Sequence, residues 1–298
     1  MLTRRKLIFG IGTTAALYRL SSGTNIDYAS AQYRCALTLD QAKSGKVTSQ
    51  KYLNERLNCL PEVLDARDSG MLKGFLYNPS DTELGALLRN LLSGKVNEEQ
   101  KLSNLVQSSI NDYKQAKDNR GVVATRIPGV IDFFGENLPQ YIAFTPALFH
   151  YPVIKNDADV KSIINHELRH VRDWYGGVKL GNTLISHRTI TLNSFRIEFL
   201  EQLLELRAVY DELKNIFRER VEEGSTQVSS EFFASRIIDY SNHRGFIQNN
   251  PIIDLERRVA EMQLEESKGI IPEIREGKRY LNFNLFGKKD SISVRKSD

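Results

Sequence analysis

The run NDADVKSIINHELRHVRDWYGG, Asn156 to Gly177, constrains this chain more than any other stretch, because it reads as one complete helix. Asn156, Asp157 and Asp159 supply a capping group and negative charge at its start, and Gly176-Gly177 supplies a stop. Ile163, Ile164, Leu168, Val171 and Trp174 fall mostly at spacings of three and four, which predicts a buried stripe. Beside that stripe stand His166, Glu167 and His170, in the order His-Glu-x-x-His. Residues four apart share a helix face one turn apart, so both imidazoles can reach one zinc ion at about 2.0–2.1 Å. Glu167 lies where its carboxylate can take a proton from a water activated by that metal.

A zinc site that performs chemistry needs a third protein ligand. A histidine ten residues after His166 is excluded, since Gly176 stands there. Asp173 is on the same helix, better placed to accept a ring N–H than to ligate. The next long helix is predicted from about Leu192 to Arg220, with Phe195, Phe199, Leu203, Leu206, Tyr210, Leu213 and Phe217 as its buried face. Glu198, Glu201, Glu205, Ala208 and Glu212 form a second stripe. Ala208 is its one small member, and it would let the two helices approach closely next to Glu205. Glu205 is therefore the expected third ligand, with Glu201 and Glu198 as alternatives. Each of these glutamates could also belong to a solvated, salt-bridged face.

With "HELRH" and "ELRAVYD" in place, residues from about Gln140 to Asp211 resemble the gluzincin branch of zinc metallopeptidases. The resemblance implies a zincin-like helix following a small sheet, and Zn2+ held by His166, His170 and Glu205. It further implies Glu167 as general base for hydrolysis of a peptide or protein substrate, with extended peptide bound at a sheet edge. Such enzymes often place an acidic residue four positions after the ligand glutamate. Position 209 is Val209 here, and Asp211 comes two residues late. Donors for the developing oxyanion are unranked among His187, Tyr210, His243 and Arg244, whereas His150 in "LFHYP" reads as a loop residue. "QYIAFTP" can be a strand that pairs with substrate or an ordinary core strand. Two other classes stay open: a metal-dependent amidase or deformylase acting on a small molecule, and a degenerate zincin-like domain that binds a partner or the cell envelope. An intact Glu167 argues against degeneracy.

The remaining sequence predicts an α+β fold, predominantly helical. Residues 32–120 read as helices, and "GVVATRI", "GVIDFF" and "QYIAFT" read as short strands before the motif helix. Two further helices are predicted near Glu231–Tyr240 and Ile252–Glu266, so that 121–270 forms the metallopeptidase core and 271–298 a loose basic tail. A mean hydropathy of −0.38 and the lack of a long uncharged apolar stretch exclude a multispanning membrane protein.

Residues 1–31 stand apart. Thr3-Arg4-Arg5-Lys6-Leu7-Ile8, a short apolar run and Ala29-Ser30-Ala31 resemble a twin-arginine export signal with a small-x-small cleavage site. This implies a periplasmic or extracellular protein, the other reading being an ordinary basic helix or an uncleaved membrane anchor. The segment holds Arg4, Arg5, Lys6 and Arg19 against Asp27, or +3 of the chain's +4, which leaves +1 for the rest. The basic balance therefore belongs to the leader and gives no argument for nucleic-acid binding. Cys35 and Cys59 can form one disulfide outside the cytoplasm or remain two buried thiols.

Overall fold

A computed structural model describes residues 35–118, 123–129, 137–186, 190, 195–224, 226–275 and 278–294. The export signal, His187 and all but the first residue of "GVIDFF" lie outside them. The first elements are α1 (Leu39–Lys43), α2 (Ser49–Cys59), α3 (Pro61–Asp68), β1 (Leu72–Tyr77), α4 (Asp81–Leu92) and α5 (Glu99–Asp118). Thr38, Thr48 and Ser80 start α1, α2 and α4 by accepting from the N3 backbone N–H, and Pro61 fits the first turn of α3, where no N–H is required.

Strand β1 corrects the all-helical expectation for this region. Its sequence, LKGFLY, has no clean alternation, because Leu72, Gly74 and Phe75 are all buried. It pairs in parallel with β3 (Gln140–Phe144), which pairs antiparallel with β2 (Ala124–Ile127), giving the order β1-β3-β2. β3 is thus hydrogen-bonded on both edges, which removes "QYIAFTP" as a site for strand addition; β2 holds the edge instead. Ile142 and Phe144 face the larger hydrophobic core, while Ile127 and Ala143 face a smaller one built on α4 and α5.

After the single turn α6 (Ala147–His150), where exposed His150 ends a helix and not a loop, comes α7 (Asp157–Gly176). Asn156 and Asp159 form a reciprocal capping box at its start. Gly177 ends it at φ 82°, where a Cβ would meet Ile185 O at 2.9 Å. The hairpin β4 (Val178–Leu180) and β5 (Thr183–Ile185) leads toward α8 (Ile197–Glu223), α9 (Ser230–Asn249) and α10 (Asp254–Glu266). The helix α8 starts at Ile197, later than the expected Leu192, so that of the seven predicted apolar-face residues Phe195 precedes it, while all seven are buried.

The expected loose tail is a three-stranded antiparallel meander, β6 (Ile270–Arg275), β7 (Lys278–Leu285) and β8 (Lys288–Val294). Its basic residues mask an alternation in which Leu281 and Phe283 point inward. Phe283 stacks on Phe217 of α8 with centroids 4.4 Å apart, and Tyr240 Oη donates to Ile270 O at 2.8 Å.

Cys35 and Cys59 are joined, with Cα atoms 5.7 Å apart. Near this bond Asp157 Oδ1 accepts from Leu39 N, Tyr52 Oη and Arg56 Nη2, which fastens the amino-terminal helices to the first residue of α7. Among the described residues no helix is long and apolar enough to cross a membrane.

Candidate metal centre

Helical spacing puts His166 and His170 on one face of α7, and the packing of α7 against α8 brings Glu205 to them. His166 Nε2 and His170 Nε2 are 3.1 Å apart. Glu205 Oε2 lies 3.2 Å from the first and Oε1 3.3 Å from the second. For a tetrahedral ion with ligands at about 2.0–2.1 Å, ligand atoms should stand about 3.3 Å apart. The two ring nitrogens, and each of them with the Glu205 oxygen it faces, stand near that spacing. Without an ion, one ring donates its Nε2–H to the Nε2 lone pair of the other across this distance, the roles being set by protonation and tautomer.

Ala208 is fully buried, and Glu205 and Glu212 on either side of it along α8 both face α7. Glu205 keeps 41% of its side chain open to the cleft, whereas both histidines and Glu167 are buried. Glu201 and Glu198 are exposed farther up α8, away from the donors. No other group of three His, Cys, Asp or Glu among the described residues meets in this way.

The charges are strongly coupled. Burial alone would lower the pKa of His166, but the carboxylates of Glu205 and Glu212 outweigh it and raise it to about 10. Burial likewise opposes ionisation of Glu205, yet His170 and His166 hold it well below the usual carboxylate range. Burial raises Glu167, with His170 and His166 pulling the other way. A carboxylate shifted toward the working pH makes a better proton acceptor.

The expected support for the histidines is corrected. Asp173 accepts from Arg169 Nε at 3.3 Å and from buried Arg207 Nε at 3.1 Å, and burial pushes its pKa up to about 6. Arg207 also donates to Gln263 Oε1, Glu266 Oε2 and Lys179 O, so this cluster clamps α7, α8, α10 and β4 together. Asp211 pairs with Arg169 at 2.9 Å. The residue behind the site is Glu212, fully buried, which takes a hydrogen bond from Ser162 Oγ at 2.7 Å. Its Oε2 faces His166 Nδ1 at 3.4 Å, and these two buried atoms have no better partner. Glu212 lies seven residues past Glu205, two turns along the same face, so the periodicity that selected Glu205 could have found it.

Among the donor candidates, His243 reaches the centre. It lines a cavity of about 560 Å³ with His166, Glu167, Glu205 and Arg236. Its Nδ1 is 2.7 Å from Gln202 Oε1, and burial lowers its pKa, which favours the neutral ring. Tyr210 packs against Tyr240, and Arg244 donates to Ser267 Oγ at 2.7 Å; neither lines this cavity. Arg236, which pairs with Asp239 at 2.8 Å, and Arg126 were not anticipated. Arg126 lies over the Trp174 ring, 3.4 Å from its centroid. The signal for it was slight: the single charge in "GVVATRI". A charged depression of about 250 Å³ around Arg169, Asp211 and Lys214 contains none of the three donors.

No known family model, curated protein or solved structure matches the chain.

Proposed function

We propose that this protein is a zinc-dependent peptide hydrolase of zincin-like build, with His166, His170 and Glu205 as metal ligands and Glu167 as general base. One observation carries the reading: His166, His170 and Glu205 converge from two helices, with ring nitrogens 3.1 Å apart and each within 3.3 Å of a Glu205 oxygen, beside an intact glutamate. Two histidines and a carboxylate with one side left open suit zinc doing chemistry more than zinc doing scaffolding. Bound there, the metal supplies a Lewis acid that lowers the pKa of a water and polarises a carbonyl.

The chain's own groups do the rest. Glu167 takes the proton of the attacking water and passes it to the leaving amine, and its buried position makes that carboxylate basic enough to do so. Glu212 fixes the His166 ring from behind. His243 faces the same cavity with its Nδ1–H donating to Gln202 Oε1, which leaves Nε2 of the neutral ring as an acceptor turned toward the site. The start of β2, at Ala124, lines this cavity, and no described strand pairs with the outer edge of β2. That edge supports an extended peptide held by strand addition over a compact small molecule. The joined Cys35 and Cys59 fit an oxidising compartment, which supports export.

The test is zinc per chain by elemental analysis, for the parent, Glu205→Ala and Glu201→Ala, followed by peptide-library digestion with Glu167→Ala as the inactive control. About one zinc is expected in the parent and in Glu201→Ala, and far less in Glu205→Ala. A parent that takes up no zinc even on refolding with the metal would sink the hydrolase reading.

A further inference from the structure

A second cavity, of about 330 Å³, opens beside Trp174 and Glu201. Leu105, Ile197, Leu200 and Leu204 give it apolar walls, and its charges are Arg126, Asp112 and Glu201. Asp112 and Glu201 are exposed, whereas Arg126 is the most shielded of the three. The Arg126 guanidinium is held flat on Trp174, and Nη1 donates to Pro128 O at 3.0 Å. Among the described residues no carboxylate comes within ion-pair distance of it, and Pro128 O is the one acceptor met by its five N–H donors. Burial lowers its pKa to about 9 despite the fields of Glu167 and Glu205, as expected for a cation short of direct partners.

Ala124 lines the first cavity and Arg126 the second, and both lie on one face of β2, about 7 Å apart at strand rise. A chain laid along β2 with a carbonyl at the metal centre therefore reaches Arg126 within one or two residues. We propose that Arg126 binds a carboxylate of the substrate, from an acidic side chain or the C-terminus, one or two residues from the cleaved bond. The location of that bond rests on the hydrolase reading; the binding of a carboxylate does not. A preorganised guanidinium fork on a carboxylate is worth about ten- to a hundredfold in affinity. Repulsion from two exposed carboxylates at the rim is a few-fold effect, about, and screened by salt.

The experiment uses zinc-loaded protein carrying Glu167→Gln, so that peptides bind without turnover. Calorimetry compares N-acetylated peptides that differ in Glu against Gln, and in a free C-terminus against an amide. One of these carboxylates should bind about tenfold or more tightly than its neutral counterpart, and the arm that shows it identifies the source. Arg126→Met should lose that preference while still holding one zinc, and Arg126→Lys should keep part of it. If Arg126→Met fails to fold, as its zinc content would reveal, Arg126→Gln is read in its place. No preference in either arm overturns the proposal, as does a preference that survives without Arg126, which would assign the carboxylate to the metal. A preference for Lys or Arg side chains also overturns it and assigns the cavity to Asp112 and Glu201. Arg126-dependent carboxylate binding by a parent that cleaves no peptide would retire the hydrolase reading and leave this one standing.

Discussion

Metal uptake should release about one proton per ion, and His166 is its source. In the metal-free protein burial works against the imidazolium, but Glu205 and Glu212 raise its pKa to about 10. Ligation requires the neutral ring, so a proton must leave. At pH 7.5 that costs about 1.4 kcal/mol for each of roughly 2.5 pH units, or about 3.5 kcal/mol. Apparent affinity should therefore rise about tenfold per pH unit from pH 6.5 to nearly 10. Glu205, held well below its usual range, is already ionised and releases nothing. The stability of the metal-free protein runs the opposite way. A folded pKa above the unfolded value gives stabilisation that is full below pH 6.5 and fades as pH climbs toward 10. Calorimetric titration with zinc in buffers of different ionisation enthalpy counts the protons directly. Release of less than half a proton per ion, or an affinity flat between pH 6.5 and 9, would refute the coupling of His166 to the two carboxylates.

Further outcomes test the frame that holds the site. Ala208→Leu should overpack the α7–α8 contact, costing about 1–3 kcal/mol in denaturant melts and weakening zinc retention, because Ala208 is fully buried. Reducing the Cys35–Cys59 bond, which links positions 24 apart, should cost about 3 kcal/mol by chain entropy; equal melts with and without reductant would count against it. Phe217→Ala removes the ring stacked on Phe283 and should cost about 3–5 kcal/mol, with loss of hydrogen-exchange protection concentrated in β6–β8.

Motif residues and the bounds of α7 were legible because they obey local rules, whereas α9 runs nine residues past the expected Tyr240. The caps of α7, the turn between His166 and His170, and the buried stripe of α8 each follow from spacings within one helix. Strand β1 was hidden because burial on both faces erases alternation, and the carboxy-terminal meander because its charges resemble those of a solvated tail. Arg126 gave almost no signal, since its meaning depends on Trp174, 48 residues later in the chain.

The sequence by itself determined that two histidines and a glutamate would share one capped helix, with a stripe of glutamates ready on another. Only the tertiary structure decided which glutamate met them. The packing of α7 against α8 selects Glu205, sends Glu212 behind His166, and turns Asp173 away to Arg207. Helical periodicity fixes relations four residues apart, whereas convergence of groups about 40 residues apart depends on how two buried faces fill their shared volume.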